Sequence, residues 1–227
     1  WSVTGVQTCA LPICYLLEAY EEAENFSHLL QQRVKGAGFF KTLLLRRLGS
    51  SMEAGRRTVS KLLGGEPAAV DDEDEDDAED EVQPQLGRPP QGASDFKNFT
   101  EAERMSLERC LQLLREGGNN DPKLDALIGY LRGTHPGVTR GWLDLGCILF
   151  SQYYDTVRWV GDELAKRAEF AGMDIGLYAG SNRSGLWRNG TFHRCDRNVL
   201  KERVRAGDLK LLLGTDAASA GLNLQRL

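Results

Sequence analysis

The chain has 227 residues, of which 27% are charged and 41% hydrophobic, a composition typical of a soluble protein of one or two domains. Its apolar runs are short compared with the roughly 18 consecutive apolar residues that a membrane-spanning helix needs, so no membrane association is expected. The net charge of -5 depends on residues 71–81, ten of which are acidic. Without them 23 acidic and 28 basic residues remain, so the rest of the chain is mildly basic.

Residues 3–13 (VTGVQTCALPI) lack the basic and apolar regions of a signal peptide. They are identical to the translation of a common sequencing-adapter oligonucleotide, and we interpret residues 1–13 as an adapter-derived artefact. On this interpretation Cys9 is not native, Cys14 is doubtful, and the chain is a fragment of a longer product.

The other cysteines, Cys110, Cys147 and Cys195, are far apart in sequence and show no metal-binding spacing. Reduced thiols are therefore expected, which is typical of a cytoplasmic protein. The expected localisation is accordingly cytoplasmic.

Residues 14–63 are predicted to form a helical segment, because apolar residues recur at helix-like spacing. Gly36 and Gly38 are expected to divide it into two helices. The second predicted helix, at 39–63, carries six cations beside its apolar stripe. Such a face could contact phosphate or could be a solvated surface, and the sequence leaves both open. The six cations are Lys41, Arg46, Arg47, Arg56, Arg57 and Lys61.

Residues 64–95 consist mainly of Gly, Pro, Gln and acidic residues, a composition that predicts a disordered acidic linker. The linker could keep the protein soluble or mimic DNA phosphate against a basic surface.

Residues 96–140 are predicted to be a helical segment that leads into the next domain. Thr100 and Glu103 have the spacing of a capping box, and Asp121-Pro122 opens a second helix. The apolar positions expected to face the core of the first helix are Met105, Leu107, Cys110, Leu111 and Leu114.

Residues 141–227 alternate predicted strands with predicted helices, which indicates an α/β fold with a parallel sheet flanked by helices. In such a sheet, ligands bind beyond the carboxyl ends of the strands. Polar residues follow each predicted strand: Ser151-Gln152, Gly180 through Arg183, and Thr215-Asp216. The predicted elements are buried strands at 145–150, 173–178 and 209–214, helices at 155–170 and 196–205, and a loop at 179–190.

Three stretches of this region carry a family resemblance. GCILFSQYYDT (146–156) resembles helicase motif IV, GLYAG (176–180) resembles the conserved strand and turn that follow, and GTDAASAGLNLQ (214–225) resembles motif V. The chain is similar to the C-terminal RecA-like lobe of superfamily 2, DEAD/DEAH-type helicases, and in particular to bacterial SWI/SNF-related proteins. Asn223 favours that subgroup, because DEAD-box RNA helicases carry Asp there. The resemblance covers roughly 39–63 and 99–227.

The resemblance implies an incomplete RecA-like lobe in residues 141–227. Its partners would be DNA, with RNA as the alternative, and the N-terminal RecA-like lobe of the same parent chain. Ordinary loop chemistry is the competing explanation for each implied residue. The resemblance assigns nucleic-acid contacts to Ser151, Gln152, Gly180 and Thr215, nucleotide contacts to Gly221 and Asn223, and a structural role in motif V to Asp216.

Four arginines surround two aromatic residues between the second predicted strand and the last predicted helix. This cluster could combine phosphate contacts with stacking on bases. A solvated loop around one buried tryptophan explains it almost as well. The residues are Arg183, Arg188, Arg194 and Arg197 with Trp187 and Phe192.

The strict Walker A pattern G-x-x-x-x-G-K-[ST] does not occur, and the chain stops shortly after motif V. In this family motif VI carries the arginines that stabilise the transferring phosphoryl group. ATP and Mg²⁺ are therefore implied for the parent protein alone, and the fragment is expected to be inactive, with no catalytic or metal-binding residues. The alternative is a non-catalytic RecA-like protein-interaction module.

Overall fold

The computed structural model describes residues 14–34, 37–64, 98–118, 121–180 and 182–215. The adapter-like residues 1–13 and nearly all of the predicted linker lie outside these ranges. The described residues form two compact units: a helical unit, up to residue 127, and a sheet unit, from residue 128. None of the helices in these ranges is long and apolar enough to cross a membrane.

The helical unit contains α1 (Cys14–Arg33), α2 (Gly38–Ser50), α3 (Met52–Leu63), α4 (Glu101–Glu116) and the beginning of α5 (Pro122–Arg132). Its core consists of aliphatic and aromatic side chains from α1 to α4. The most deeply buried large side chains of this core are Phe26, Leu30, Leu44, Leu48, Leu107 and Leu114.

The single helix predicted at 39–63 is in fact two helices, α2 and α3, which meet at Ser51. The backbone of Ser51 is extended, with φ -157° and ψ 158°, and its hydroxyl accepts a hydrogen bond from the amide of Ala54 at 3.1 Å. The next amide, that of Met52, donates to the Asp121 carboxylate at 3.0 Å. Two first-turn amides of α3 therefore have side-chain acceptors, which stabilises a new helix start at this position.

The capping box predicted at the start of α4 is confirmed. The Thr100 hydroxyl accepts from the Glu103 amide at 3.3 Å, and the Glu103 carboxylate accepts from the Thr100 amide at 2.8 Å. One predicted core position of this helix is wrong, because Met105 is 60% exposed.

The sheet unit is α/β, with five strands in the order β1-β5-β2-β3-β4. Strands β1, β5 and β2 are parallel, whereas β3 and β4 add antiparallel pairs. The strands are β1 (Cys147–Phe150), β2 (Ile175–Tyr178), β3 (Gly185–Arg188), β4 (Thr191–Arg194) and β5 (Leu211–Gly214). The helices are the second half of α5, α6 (Trp142–Leu145), α7 (Tyr154–Ala165), a short 3-10 helix (Ala168–Phe170) and α8 (Arg197–Ala206).

The part of the chain predicted as a loop at 179–190 contains β3 and the turn of a β-hairpin. Asn189 and Gly190 form its two-residue connection, with φ of 52° and 79°. Positive φ at both positions is the requirement of the type I′ turn, which matches the twist of paired strands. The sheet is therefore mixed rather than parallel throughout.

Two helices cover the two faces of the sheet. Alternate strand residues point to opposite faces, and Leu186 and Leu212 pack with Leu200 and Val204 of α8. The next residue of β3, Trp187, faces α7 and donates its indole N–H to Asp162 at 2.8 Å. Within the described sheet β1 pairs with β5 alone, and its Phe150 is 55% exposed, so the prediction of a buried first strand is wrong.

Gly161 in α7 allows the closest approach between helix and sheet. A Cβ atom at this position would overlap the ring of Trp187, which is 1% exposed and whose indole N–H donates to Asp162. Gly161→Ala is therefore expected to destabilise the sheet unit by about 2 kcal/mol through overpacking. Hydrogen exchange of the β2 and β5 amides in the native state measures this change.

Gly49→Ala in α2 is the matched control. The nearest atom to a Cβ there is the Tyr20 hydroxyl oxygen, at an ordinary contact distance of 3.6 Å. Because alanine is favoured over glycine in helices by up to about 1 kcal/mol, this variant is expected to be neutral or stabilising. The control is measured at the α2 amides of its own unit. Equal destabilisation of the two units by the two variants would contradict the overlap with Trp187.

Candidate nucleic-acid interface

Three parallel strands of the sheet unit end at the same level. Phe150 of β1 is in register with Gly214 of β5, and Gly214 is in register with Tyr178 of β2. The residues that follow these strand ends therefore lie along one edge, which we call the strand-end edge. It comprises Ser151, Gln152, Ala179, Gly180 and Thr215. All four residues to which the resemblance assigns nucleic-acid contacts thus lie at or next to this edge.

Thr215 occupies the centre of the strand-end edge, because β5 lies between β1 and β2. Its amide donates to the carbonyl of Tyr178 at 3.2 Å, which extends the β5–β2 pairing by one residue. Its hydroxyl oxygen is buried and has no hydrogen-bond partner within the described residues. A buried hydroxyl without a partner is unfavourable by about 1–3 kcal/mol. The residues that follow Thr215 lie outside the described part of the chain.

Ser151 and Gln152 connect β1 to α7. The amide of Ser151 donates to the carbonyl of Gly214 at 3.1 Å, and its hydroxyl accepts from the amide of Tyr153 at 3.2 Å. The Ser151 side chain thus has a defined local role in the turn, as the ordinary loop explanation predicts. The Gln152 side chain is exposed and extends from the edge into solvent.

The turn after β2 is fixed by Ser184. Its hydroxyl accepts from the amide of Ala179 at 3.0 Å and donates to the carbonyl of the same residue at 2.9 Å. Gly180 is buried, and its carbonyl accepts from the Arg183 amide at 3.0 Å. These bonds connect the described residues on the two sides of the turn.

Cationic side chains lie beside the strand-end edge. Arg197 donates to the carbonyl of Ala179 at 2.9 Å, and its guanidinium lies 5.4 Å from the ring centre of Tyr178. The Lys201 ammonium lies 5.8 Å from the same ring, and the Arg183 guanidinium lies 5.0 Å from the ring of Tyr154. The edge therefore combines hydroxyl groups and the exposed Gln152 side chain with positive charge, which are types of group that commonly contact a phosphate backbone.

The arginine-aromatic cluster does not form a single binding surface. Trp187 is 1% exposed and contacts Phe192, so it is a core residue and cannot stack on a base. The cation that covers the two rings is Arg158, at 5.2 Å from Trp187 and 3.8 Å from Phe192.

The arginines of the cluster point to different places. Arg188 pairs with Asp174 at 3.2 Å, whereas Arg183 and Arg197 lie near the strand-end edge. Asp174 also pairs with Arg203 at 2.7 Å. Burial raises the pKa of Asp174, but the hydrogen bonds and charges of Arg203 and Arg188 outweigh it and lower this pKa below its ordinary value. Arg188 is therefore engaged in a structural ion pair.

The residues to which the resemblance assigns nucleotide contacts, Gly221 and Asn223, lie outside the described residues, as does Asp216. Within the described ranges, no group of three or more His, Cys, Asp or Glu side chains could hold a metal ion.

The described cysteines Cys110, Cys147 and Cys195 are free thiols. Burial, with a smaller contribution from the charge of Glu22, raises the pKa of Cys110 to about 12. Burial alone raises the pKa of Cys147 to about 11. These two thiols therefore stay protonated at neutral pH and are poor nucleophiles and metal ligands.

No family model, curated protein or solved structure matches the chain. The family resemblance consequently rests on the sequence motifs alone.

Proposed function

We propose that the chain is part of the second motor lobe of an ATP-dependent nucleic-acid helicase or translocase, and that its strand-end edge contacts the nucleic-acid backbone. The observation that carries the proposal is the alignment of Ser151, Thr215 and Gly180 along one edge of three parallel strands. DNA is the favoured substrate and RNA the alternative. ATP and Mg²⁺ would act in the parent protein, together with its N-terminal lobe.

The proposed contact uses groups that already have fixed positions. The Thr215 hydroxyl is buried and would have to become accessible when the strand binds. It would then donate to a phosphate oxygen and gain the partner that it lacks within the described residues. Arg197 and Lys201, beside Tyr178, would add positive potential that attracts the backbone irrespective of base sequence. Binding would therefore depend strongly on salt and little on sequence.

Thr215→Val tests this contact, because it removes the hydroxyl and keeps the shape of the side chain. We expect it to weaken binding of a fluorescein-labelled 20-nucleotide DNA strand by about fivefold, the effect of one hydrogen bond of about 1 kcal/mol. Fluorescence anisotropy at several salt concentrations measures the affinity. Thr191→Val, at an exposed position of β4, is the control and should bind as the unaltered chain does. Equal affinities for all three proteins would contradict the proposed contact.

The proposed motor function is tested by sequencing the complete gene from which this chain derives. Long reads across both ends of the coding sequence are expected to reveal a Walker A loop and an acidic box upstream and an arginine-containing motif VI downstream. The complete protein should then hydrolyse ATP faster when DNA is added. If the complete gene encodes neither upstream motif, the motor proposal is wrong and the chain is better explained as a non-catalytic RecA-like interaction module.

A further inference from the structure

A cationic cleft lies on the helical unit, between α3 and α4. It has a volume of about 470 Å³ and is lined by four cationic side chains and one hydroxyl. Its lining residues are Arg56, Arg57, Ser60 and Lys61 of α3 and Arg115 of α4. Four cations stand against one adjacent carboxylate, that of Glu53, so an excess of positive charge remains and an anion is the ligand that the cleft suits best.

The cleft contains half of the six cations predicted on one helix. Of the others, Lys41 pairs with Glu24 at 3.4 Å and Arg47 is buried, while Arg46 is exposed but does not line the cleft. The predicted cationic face is therefore divided between α2 and α3. The three cations of α3 line the cleft together with Arg115 of α4.

Glu53 holds two arginines of the cleft in position. Its carboxylate, 12% exposed, accepts from Nε of Arg56 and from Nε of Arg57, each at 2.8 Å. It also pairs with Nη2 of Arg56. Long side chains usually lose conformational entropy when they bind a ligand. Because Glu53 already orders the side chains of Arg56 and Arg57, the entropic cost of binding an anion is lower.

The lining residues favour phosphate over other anions. Three of the four cations are arginines, whose planar guanidinium groups can donate two parallel hydrogen bonds to one phosphate. Ser60 adds a hydroxyl donor of the kind that commonly contacts phosphate oxygens. The lining includes no aromatic ring for stacking on bases, and its cations attract a phosphate backbone irrespective of base sequence.

We propose that this cationic cleft binds the phosphate backbone of a single nucleic-acid strand without base readout. The proposal does not depend on the motor function, because the five lining residues belong to neither motif IV nor motif V. It adds a nucleic-acid site on the helical unit that is separate in sequence from the strand-end edge.

The test compares two triple variants of the full 227-residue chain. The cleft variant is Arg57→Gln/Lys61→Gln/Arg115→Gln. The control, Arg46→Gln/Arg104→Gln/Arg109→Gln, removes the same charge from exposed positions of the helical unit that do not line the cleft. Circular dichroism confirms that both fold, and Lys61→Glu alone replaces the cleft variant if it does not.

Binding is measured by anisotropy with a fluorescein-labelled 20-nucleotide thymidine strand at several salt concentrations. The cleft variant is expected to bind about tenfold or more weakly, and its salt dependence should correspond to about two to three fewer phosphate contacts. The control should change affinity less than about twofold. Equal loss in both variants, or none in the cleft variant, would overturn the proposal.

Binding of a peptide of residues 70–82, which contains the acidic run, tests whether the cleft binds an acidic peptide rather than a nucleic acid. If the cleft variant loses binding of this peptide but keeps binding of the strand, the nucleic-acid proposal is wrong. Thr215→Val separates the two sites: if that variant alone loses affinity, the strand-end edge is the contact and the cleft is not.

Discussion

Trp187→Ala is expected to destabilise the sheet unit by about 4 kcal/mol, a typical cost of truncating a fully buried tryptophan. The indole packs against α7 at Gly161, contacts Phe192, and donates to Asp162 at 2.8 Å. Its removal would leave a cavity between helix and sheet and would deprive Asp162 of a partner. Native-state hydrogen exchange of β2, β3 and β5 measures the loss, and the α1 and α4 amides provide an internal reference.

Trp187→Phe is the matched control, because it keeps a ring in the cavity and removes the indole donor. It is expected to lower the stability of the sheet unit by about 1 kcal/mol for the lost hydrogen bond, plus a smaller loss of packing.

Trp187→Ala and Trp187→Phe also test the hypothesis that the Trp187 ring stacks on nucleic-acid bases. If Trp187 stacked on bases, Trp187→Ala would weaken binding of the labelled strand while the sheet unit kept its stability. That outcome would contradict the core role of this residue.

Local features of the fold were predictable from the sequence. Short apolar runs that alternate with helical periodicity predict the three parallel strands, and the spacing of Thr100 and Glu103 predicts the capping box. The strand-end edge followed from the rule that parallel strands end on one side of a sheet. The order of the strands was not predictable, because it depends on which strand inserts between the other two.

The hairpin was missed although its signal was present. Asn189-Gly190 is the strongest short-range indication of a type I′ turn, but the flanking arginines suggested a solvated loop. The helix break at Ser51 also had a local signal, because Gly49 and Ser50 precede Ser51, but the apolar stripe continues past these residues and favoured one helix. The cationic cleft could not be predicted from the sequence, because Arg115 lies on a helix that is distant in sequence from the other lining residues. Contacts of this kind arise from tertiary packing and leave no local pattern.

Arg33→Met is expected to destabilise the helical unit by about 3 kcal/mol, the lower end of the cost of removing one partner of a buried ion pair. The Glu103 side chain is 1% exposed and receives two bonds of 2.8 Å from the Arg33 guanidinium. Arg33 also donates to the carbonyl of Asn98 at 2.9 Å. Without Arg33 the Glu103 carboxylate would remain buried with the hydrogen bond from the Thr100 amide. Native-state hydrogen exchange of α1 and α4 measures the effect.

Lys41→Met provides the comparison within the same unit. Lys41 and Glu24 form a pair at 3.4 Å in which both side chains are about half exposed. An exposed pair contributes about 0–1 kcal/mol, so this variant should be nearly neutral. The double variant Arg33→Met/Glu103→Gln is expected to be more stable than Arg33→Met, because it no longer buries an uncompensated charge. If the second substitution brought no recovery, the buried charge would not explain the loss.

The Arg33–Glu103 ion pair makes the stability of the helical unit depend on pH in the acidic range. Burial raises the pKa of Glu103, but the bonds from Arg33 and Thr100 and the charge of Arg33 outweigh it, so this pKa lies below its ordinary 4.5. Because the folded-state pKa is lowered, the carboxylate stabilises the fold fully above the unfolded-state value. That contribution is lost as the pH falls through the folded-state value. Between pH 6 and about 3, the unaltered chain should therefore lose more stability than Glu103→Gln, which has no titrating group at this position. Parallel pH profiles for the two proteins would show that Glu103 is not the source of the acid sensitivity.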